Sequence, residues 1–344
     1  MALVVDRVRK LIEDAEGPHG ATLQSMLGTG VPLARELAEQ QLGGSAIDDL
    51  VDLGLARWAS DRLVGLVRMS RFHGALVSSD RLEFRHQPEF VIGPGPSSAL
   101  LADAVPPTLN GRLLDLGSGP GTQALWLARD RVEALGIDIS SRALSFATFN
   151  RELNGRPNVA FEMGDFLTAP PDPRLDERFD VVVANPPFVL ASARALPYRD
   201  RPLPGDATTR VAVERVVRAL APGGRGYVLG TWLDDARGPW DREPRSWLRH
   251  TGCRAVVTRV SSVPPAAYAS HWTDDLPEAD RPGAIAAWTA ELEADGADRI
   301  TTGVVAIARP HRPSRQPVWR RRDAVAALDV PRPAWQTIEA ALAG

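Results

Sequence analysis

Short apolar runs alternate with helical patterns along most of this chain. The runs at residues 113–116, 134–138, 159–163, 179–184, 227–232, 255–260 and 302–308 are rich in valine, isoleucine, leucine and alanine. Such composition is typical of strands buried on both faces of a sheet. Helical periodicity separates several of these runs, as at 207–220. Strands that alternate with helices predict an α/β fold with a mostly parallel sheet and helices on both faces.

The first 90 residues have a different pattern. Helical spacing at 4–12, 31–41 and 46–53 is followed by alternating, strand-like stretches at 55–67 and 75–84. Helices followed by a small β-ribbon predict a winged-helix-like domain over residues 1–90. A joint rich in glycine and proline then leads into a larger domain at 91–344. Docking or homodimerisation is the favoured role of the small domain, with nucleic-acid recognition as the alternative.

A glycine-rich turn follows the strand predicted at 113–116. Residues 113–122 read LLDLGSGPGT, and a β-carbon at Gly117 or Gly119 would obstruct a ligand close to the backbone. The dinucleotide-binding fingerprint needs glycine at its sixth position, which is Thr122 here, so a nicotinamide or flavin site is disfavoured. Asp115 stands before the glycines, which suits a cofactor with a cationic amino-acid part.

Two further carboxylates end the next two predicted strands. Asp138 is placed to accept the hydroxyl protons of a ribose. Asp165 is placed to bind an adenine amino group, with Phe166 covering the ring. Each acid alone could cap a loop, but three acids at three successive strand ends favour a nucleoside site.

A rigid polar corner follows the strand predicted at 179–184. Asn185 lies at the carboxyl end of that strand, and the two prolines after it fix the dihedrals and cannot donate hydrogen bonds. The corner therefore presents the Asn185 side-chain oxygen and the Pro186 main-chain oxygen beside the ring of Phe188. Ligands of open α/β sheets bind outside the carboxyl ends of strands, so this corner is a candidate substrate site.

Taken in order, these motifs resemble those of the class I S-adenosylmethionine-dependent methyltransferases. The glycine turn, Asp138, Gly164-Asp165 and the tetrapeptide Asn-Pro-Pro-Phe at 185–188 have that family's order and spacing. The tetrapeptide is similar to the motif of the amino-methylating subset, which includes release-factor glutamine, ribosomal-RNA guanine and DNA adenine methyltransferases. The resemblance implies a Rossmann-like, mostly parallel, seven-stranded sheet and S-adenosylmethionine as the cofactor.

The resemblance also implies a role for each motif. The glycines and Asp115 would bind the methionine part of the cofactor, Asp138 its ribose and Asp165 its adenine. The full set of implied cofactor residues is Asp115, Gly117, Ser118, Gly119, Gly121, Asp138, Ile139, Gly164, Asp165, Phe166 and Asn185.

The implied catalytic residues are Asn185, Pro186 and Phe188. A nitrogen attached to a ring or carbonyl has a delocalised lone pair, so it attacks a sulfonium methyl slowly. Two acceptors that hold its N–H groups would aim the lone pair and stabilise the developing positive charge, while Phe188 stacks on the planar group. The acceptor could be a nucleobase, a peptide glutamine or an aromatic small molecule.

Two other functions remain open at this point. One is a tailoring methyltransferase that acts on oxygen or carbon of a small metabolite, with the tetrapeptide kept for packing. The other is a regulatory module in which the N-terminal domain reads DNA and the cofactor fold senses a ligand. Candidate substrate contacts beyond the catalytic residues are Pro187, Tyr198, Asp206, Trp232, Tyr268 and Trp272.

About forty residues separate the last two predicted strands, where methyltransferases of this kind add substrate-specific cover. This insertion has eight acids, Asp274, Asp275, Glu278, Asp280, Glu291, Glu293, Asp295 and Asp298, against Arg281 and Arg299. If it covers the site it would repel a polyanionic substrate; otherwise it is a solvated helix pair. The arginine-rich run at 309–322 is interpreted as a solvated tail or a subunit contact, with an RNA contact as the alternative.

Composition sets the remaining limits. A net charge of -3 gives no general attraction to nucleic acid or to an anionic membrane. The chain has no apolar run long enough to span a membrane and no signal-peptide pattern, so we expect a cytoplasmic protein. Cys253 is the single cysteine and the six histidines are scattered without ligand spacing, so no metal site is expected.

Overall fold

The computed structural model describes most of the chain. The described residues are 2–13, 18–107, 110–128, 132–191, 196, 198–235, 237–274, 276–312, 319–323 and 334–343. Their helices are α1 (Ala2–Glu13), α2 (Pro18–Leu23), α3 (Arg35–Leu42), α4 (Gly44–Asp52), α5 (Pro96–Ala104), α6 (Thr122–Leu127), α7 (Ser141–Leu153), α8 (Ala207–Ala219), α9 (Arg242–Leu248), α10 (Pro265–Trp272), α11 (Arg281–Ala294) and α12 (Ala334–Ala343). A π-helix spans Gln24–Thr29, and short 3-10 helices span Leu82–Phe84 and Pro173–Leu175.

The strands complete the list of elements. They are β1 (Leu33–Ala34), β2 (Ala56–Ala59), β3 (Arg62–Gly65), β4 (Arg68–Phe72), β5 (Ala75–Ser79), β6 (Gly111–Leu116), β7 (Val132–Asp138), β8 (Val159–Met163), β9 (Phe179–Ala184), β10 (Leu220–Asp234), β11 (Arg254–Val263), β12 (Arg299–Ala308) and β13 (Trp319–Asp323). By its internal contacts the chain divides into two compact units. Unit 1 is Met1–Gly95 with Ser118–Met163, and unit 2 is Pro96–Gly117 with Gly164–Gly344.

Unit 1 begins with helices and a small sheet. The strands β1, β3 and β2 form an antiparallel sheet in that order, and α3 and α4 lie between β1 and β2 in the chain. The sequence pattern predicted helix from residue 31, but Leu33 pairs with Leu63 instead, and helix begins at Arg35. A separate antiparallel hairpin, β4–β5, follows.

One apolar core joins the N-terminal helices of unit 1 to α7. Buried side chains of α1, the π-helix, α3 and α4 pack with Leu153, and Phe146 and Phe149 cover the same cluster. Next to it, the buried carboxylate of Asp80 accepts hydrogen bonds from the Val91 main-chain nitrogen and from the Arg142 side chain (2.9 Å to Nε). Burial of this apolar surface stabilises the packing of the N-terminal helices on α7.

The largest sheet has eight strands in the described part of the chain, in the order β13-β11-β12-β10-β9-β6-β7-β8. Strands β6, β9 and β10 are parallel neighbours, as are β7 and β8, whereas β12 is antiparallel to both β10 and β11. The predicted α/β class with a mostly parallel sheet is confirmed. The sheet has one strand more than the seven implied by the resemblance, because β13 adds to the edge next to β11.

Strand β13 corrects the interpretation of the arginine-rich run as a solvated tail. Trp319 pairs with Ala255 of β11, and its indole donates to Asp241 (2.5 Å). Residues 313–318 of that run lie outside the described residues, as does Asp275 of the acidic set.

The register of unit 2 places two motifs at one edge of the sheet. Leu116 at the end of β6 pairs with Ala184 at the end of β9. Gly117 and Asn185 directly follow these two residues. The start of the glycine turn and the proline corner therefore leave the sheet from neighbouring strand ends. No helix in the described residues is long and apolar enough to cross a membrane.

Candidate functional site

The glycine turn has backbone angles that residues other than glycine rarely adopt. Gly117, Gly119 and Gly121 have φ angles of 75°, 54° and 84°. A β-carbon at Gly121 would lie 2.8 Å from the Phe161 ring, whereas one at Gly119 would meet no atom within 4 Å. Gly121 is therefore required by both backbone and packing, and Gly119 by its backbone alone.

Asp138 fixes the middle of this turn within unit 1. Its carboxylate accepts from the Gly119 main-chain nitrogen (2.8 Å) and from that of Ser140 (2.9 Å). Burial raises the pKa of Asp138, and the hydrogen bonds from the main-chain amides of Ser140, Gly119 and Ile139 partly offset that rise. The Ile139 side chain is 68% exposed. The strand β7 therefore ends in a carboxylate that organises the glycine turn, with an exposed apolar side chain next to it.

Ser118 adds an unsatisfied polar atom to the turn. Its main-chain nitrogen donates to Ile137 (3.0 Å), and its main-chain oxygen accepts from Gly121 (2.9 Å). Its hydroxyl is buried and has no hydrogen-bond partner among the described residues. A buried hydroxyl without a partner carries a desolvation cost, which a ligand with a polar group can remove.

The other implied cofactor residues with acidic or aromatic side chains belong to unit 2. Asp115 is buried at 1% exposure on β6. The Phe166 ring lies so close to Gly117 that a β-carbon there would be 3.3 Å from it. The Phe166 carbonyl accepts from Arg215 Nε (2.9 Å), which fixes the main chain after Gly164.

Asp165 caps a turn. One of its carboxylate oxygens accepts from the main-chain nitrogens of Leu167 (2.9 Å) and Thr168 (2.8 Å), and the other accepts from the Thr168 hydroxyl. Partial burial alone would raise the pKa of Asp165, but these hydrogen bonds, with one from Ala169, outweigh burial and lower it. Asp165 is thus ionised at neutral pH, and the turn that it caps follows β8 directly.

The proline corner is built from β9 and α5. Asn185 is half-buried and donates through its amide nitrogen to the hydroxyl of Ser97 in the first turn of α5 (3.3 Å). Pro186 is buried, while Pro187 and Phe188 are half-buried. With its nitrogen turned toward Ser97, the Asn185 amide keeps its oxygen as an acceptor on the other side.

Hydrogen bonds within unit 2 fix the two residues after Phe188, which are Val189 and Leu190. The main chain of Val189 bonds to Arg199 and Arg201 (3.0 and 2.8 Å). The Leu190 nitrogen donates to the Tyr268 hydroxyl (3.1 Å), and the Leu190 carbonyl accepts from the Trp288 indole (2.5 Å). The α10–α11 insertion therefore packs on the chain that leaves the corner, which corrects the alternative of a solvated helix pair.

Two of the candidate substrate residues were assigned wrongly. Tyr268 is buried and bonded to Leu190, and Trp232 is fully buried with its indole donating to the Trp240 carbonyl (2.8 Å). Both are therefore core residues rather than substrate contacts. The remaining candidates, Pro187, Tyr198, Asp206 and Trp272, are half-buried. Sequence reasoning missed Ser97 and Trp288, because a serine in a helix and a tryptophan on an acidic helix gave no local signal.

Asp206 lies at the start of α8, and its carboxyl group is a weaker acid than usual. Burial raises its pKa to about 6, and the negative charge of Glu243 adds to the rise. A hydrogen bond from the Leu233 main-chain nitrogen acts in the opposite direction. Between about pH 4 and 6 the folded protein therefore holds a proton that the unfolded chain releases, so stability falls as pH rises through this window.

Replacing Asp206 with asparagine should remove this penalty. We expect Asp206→Asn to unfold like the parent protein near pH 4 and to be more stable by up to about 3 kcal/mol at pH 7 to 8. Urea unfolding at a series of pH values measures the difference. Asp235 is a control whose effect on stability should change with pH in the opposite direction, because the hydrogen bond from Arg242 lowers its pKa. A difference that does not change with pH would show that Asp206 ionises normally.

Comparison with known proteins agrees with this geometry. Residues 108–237 match a family model described as a methyltransferase domain. The chain contains an S-adenosylmethionine-dependent methyltransferase domain. The matched range includes β6 to β10 with the glycine turn and the proline corner, which are the parts of the site described above.

Curated relatives of this methyltransferase domain match over a similar length. The release factor glutamine methyltransferase of Xylella fastidiosa strain 9a5c is 33% identical over 154 residues, which are 43% of this chain and 54% of the relative. The ribosomal RNA small subunit methyltransferase C of Alcanivorax borkumensis is 31% identical over 133 residues, 37% of this chain and 36% of the relative. The chain therefore spans about half or less of the length of these relatives.

Solved structures bound to S-adenosylmethionine also have similarity to part of the chain. A phosphoethanolamine N-methyltransferase 2 of Haemonchus contortus with S-adenosyl-L-methionine has a TM-score of 0.38 at 16% identity, over 66% of this chain and 56% of that chain. The TYW2 protein of M. jannaschii with AdoMet has a TM-score of 0.42 at 12% identity, over 71% of this chain and 87% of that chain.

Proposed function

We propose that this protein transfers the methyl group of S-adenosylmethionine to a planar amine or amide nitrogen. The observation that carries the proposal is the proline corner after β9. A hydrogen bond to Ser97 orients the Asn185 amide. The chain that follows the two prolines is fixed at Leu190 by hydrogen bonds with the side chains of Tyr268 and Trp288. A rigid pair of acceptors suits a substrate that presents N–H groups.

The residues of the glycine turn fit the cofactor. The glycine turn leaves its backbone accessible, and among the described residues the Ser118 hydroxyl has no hydrogen-bond partner. Together with the carboxylate of Asp138 they form a donor and acceptor set for a nucleoside with an amino-acid part. We assign Asp138 to the ribose hydroxyls, and Asp165 with Phe166 to the adenine. Asp115 and the glycines are assigned to the methionine part. When bound, the cofactor supplies an electrophilic methyl group on a sulfonium.

The catalytic contribution of the chain is then positioning. The Asn185 oxygen and the Pro186 carbonyl accept from the N–H groups of the acceptor, so that the nitrogen lone pair points away from both of them. As the nitrogen becomes positive, the two oxygens stabilise the charge. The half-buried ring of Phe188 offers a face on which the planar group can stack. The methylated nitrogen is acidic enough to release its proton to water.

The relatives support nitrogen as the atom methylated. The relative from Xylella is named for glutamine in a release factor, and glutamine presents a planar amide nitrogen. The relative from Alcanivorax is named for ribosomal RNA. We therefore propose that this chain belongs to the amino-methylating subset, with a peptide glutamine, a nucleobase or an aromatic amine as the class of acceptor.

Transfer of a labelled methyl group tests the function. The protein would be incubated with methyl-labelled S-adenosylmethionine and, separately, with a bacterial release factor, small-subunit ribosomal RNA and an aromatic amine. We expect label in an N-methylated product of at least one of the three, identified by mass spectrometry after digestion. Label on oxygen or carbon would contradict the proposal, as would no transfer by protein that binds the cofactor.

We further propose that residues 1–90 are a winged-helix-like docking domain. The β1-β3-β2 sheet with two helices between its first two strands supports this fold. The second of these helices, α4, has no basic residue and exposes Asp48 and Asp52, while its third acid, Asp49, is buried and paired with Arg7. Because phosphate groups repel such a helix, a protein partner or a second copy of the chain fits this domain better than nucleic acid does.

A further inference from the structure

A single asparagine of α7 links the N-terminal region to the glycine turn inside unit 1. Asn150 is fully buried, and its side-chain oxygen accepts from the Ser78 main-chain nitrogen (2.8 Å). Its side-chain nitrogen donates to the carbonyl of Ser78 and to the carbonyl of Pro120, both at 2.9 Å. Ser78 belongs to the hairpin strand β5, and Pro120 lies between Gly119 and Gly121 of the turn.

Asn154, one helical turn further along α7, provides a natural comparison. Its side-chain oxygen accepts from the Leu76 nitrogen (2.8 Å), and its nitrogen donates to the carbonyls of Leu76 and Asn150 (both 2.7 Å). The two amides thus pair with the edge of β5 in the same way, two residues apart along the strand. They differ in one contact, because the third hydrogen bond of Asn150 goes to the glycine turn and that of Asn154 stays within α7.

The same hairpin also packs on the helix that follows the turn. His73, in the β4–β5 connection, lies over the Trp126 indole of α6 with ring centroids 4.7 Å apart. Phe72 meets the same indole edge to face at 6.1 Å. His73 has a positive φ of 47°, an uncommon angle outside glycine, so the hairpin is held in a specific shape at this contact. The hairpin therefore supports the turn through both α6 and α7.

We infer that Asn150 is a positioning residue for the cofactor: it holds Pro120, and through it the amides of Gly119 and Gly121, in the conformation that binds S-adenosylmethionine. The N-terminal hairpin is then part of the cofactor site's support. This inference rests on the assignment of the glycine turn to the cofactor. Without the Asn150 amide, the buried Pro120 carbonyl loses its donor, and the turn gains freedom that binding must remove.

Calorimetric titration with S-adenosylhomocysteine, the demethylated cofactor, tests the inference on the full chain. We expect Asn150→Ala to bind about tenfold more weakly than the parent protein. The matched variant Asn154→Ala loses the same kind of strand contacts and should bind within about twofold of the parent. The thermal midpoint without ligand, measured for both variants, separates loss of affinity from loss of stability.

Two outcomes would overturn the inference. One is equal affinity in the parent protein and Asn150→Ala; the other is an equal loss of affinity in Asn150→Ala and Asn154→Ala. If Asn150→Ala does not fold, the pair Asn150→Ser and Asn154→Ser gives the same comparison, because serine is too short to replace the reach of the amide. Failure of the parent protein itself to bind S-adenosylhomocysteine would instead contradict the proposed function.

Discussion

Replacing Asn185 with alanine should lower kcat by about 10²- to 10³-fold, the usual effect of removing one preorganised group that stabilises a developing charge. The variant loses the side-chain oxygen that we assign to the acceptor N–H, while the Pro186 carbonyl remains. Affinity for S-adenosylhomocysteine should stay within about threefold of the parent value, because the glycine turn and Asp138 are unchanged. Single-turnover transfer with the acceptor found by labelling measures the chemical step, and calorimetry measures the affinity.

Ser97 provides the matched variant for this experiment. Ser97→Ala removes the hydrogen bond that orients the Asn185 amide but keeps both proposed acceptor oxygens, so we expect a loss of about tenfold, smaller than that of Asn185→Ala. Tyr227→Phe is a further control. It removes a buried hydroxyl that donates to Glu339 of α12 (2.5 Å) and should leave kcat unchanged. Unchanged turnover in Asn185→Ala would move the acceptor chemistry to another residue, with Asp206 the next candidate.

The sheet was predictable because its strands are apolar runs with clear ends. The strand at 159–163 was predicted with the bounds of β8. The strand β13 was not predicted, since an edge strand with arginines facing solvent has no apolar run. Its place in the sheet depends on pairing with β11, about sixty residues earlier in the chain, which no local pattern encodes.

The site was predictable where backbone geometry dictates the residue type. Glycines at positive φ, prolines after a strand and carboxylates at strand ends are local signals, and they were found from the sequence. Residues that support these groups were not found. Ser97 meets Asn185 across 88 residues of chain, and Asn150 meets Ser78 across 72. The misassigned aromatic residues show the same limit, because the sequence does not reveal whether Trp232 or Tyr268 faces a ligand or the core.

Replacing Asp138 with alanine should weaken binding of S-adenosylmethionine by at least about 10²-fold, through two losses that reinforce each other. The proposed acceptor for the ribose hydroxyls disappears, and a charged hydrogen bond of this kind contributes about 1.5 to 3 kcal/mol. The Gly119 nitrogen also loses its partner at 2.8 Å, so the turn is less ordered before binding. Isothermal titration with S-adenosylmethionine measures the loss.

Asp138→Asn separates these two losses. The asparagine oxygen can still accept from Gly119 and keeps that hydrogen bond of the turn, although the amide nitrogen cannot accept from Ser140 as the second carboxylate oxygen does. The neutral amide also accepts from ribose hydroxyls less strongly than a carboxylate does. We therefore expect an affinity between those of the parent protein and Asp138→Ala. The same order should appear in the rise of the thermal midpoint at one fixed cofactor concentration, because a ligand that binds the folded state more tightly stabilises it more. Equal binding by all three proteins would show that the ribose is held elsewhere, and that Asp138 serves the glycine turn alone.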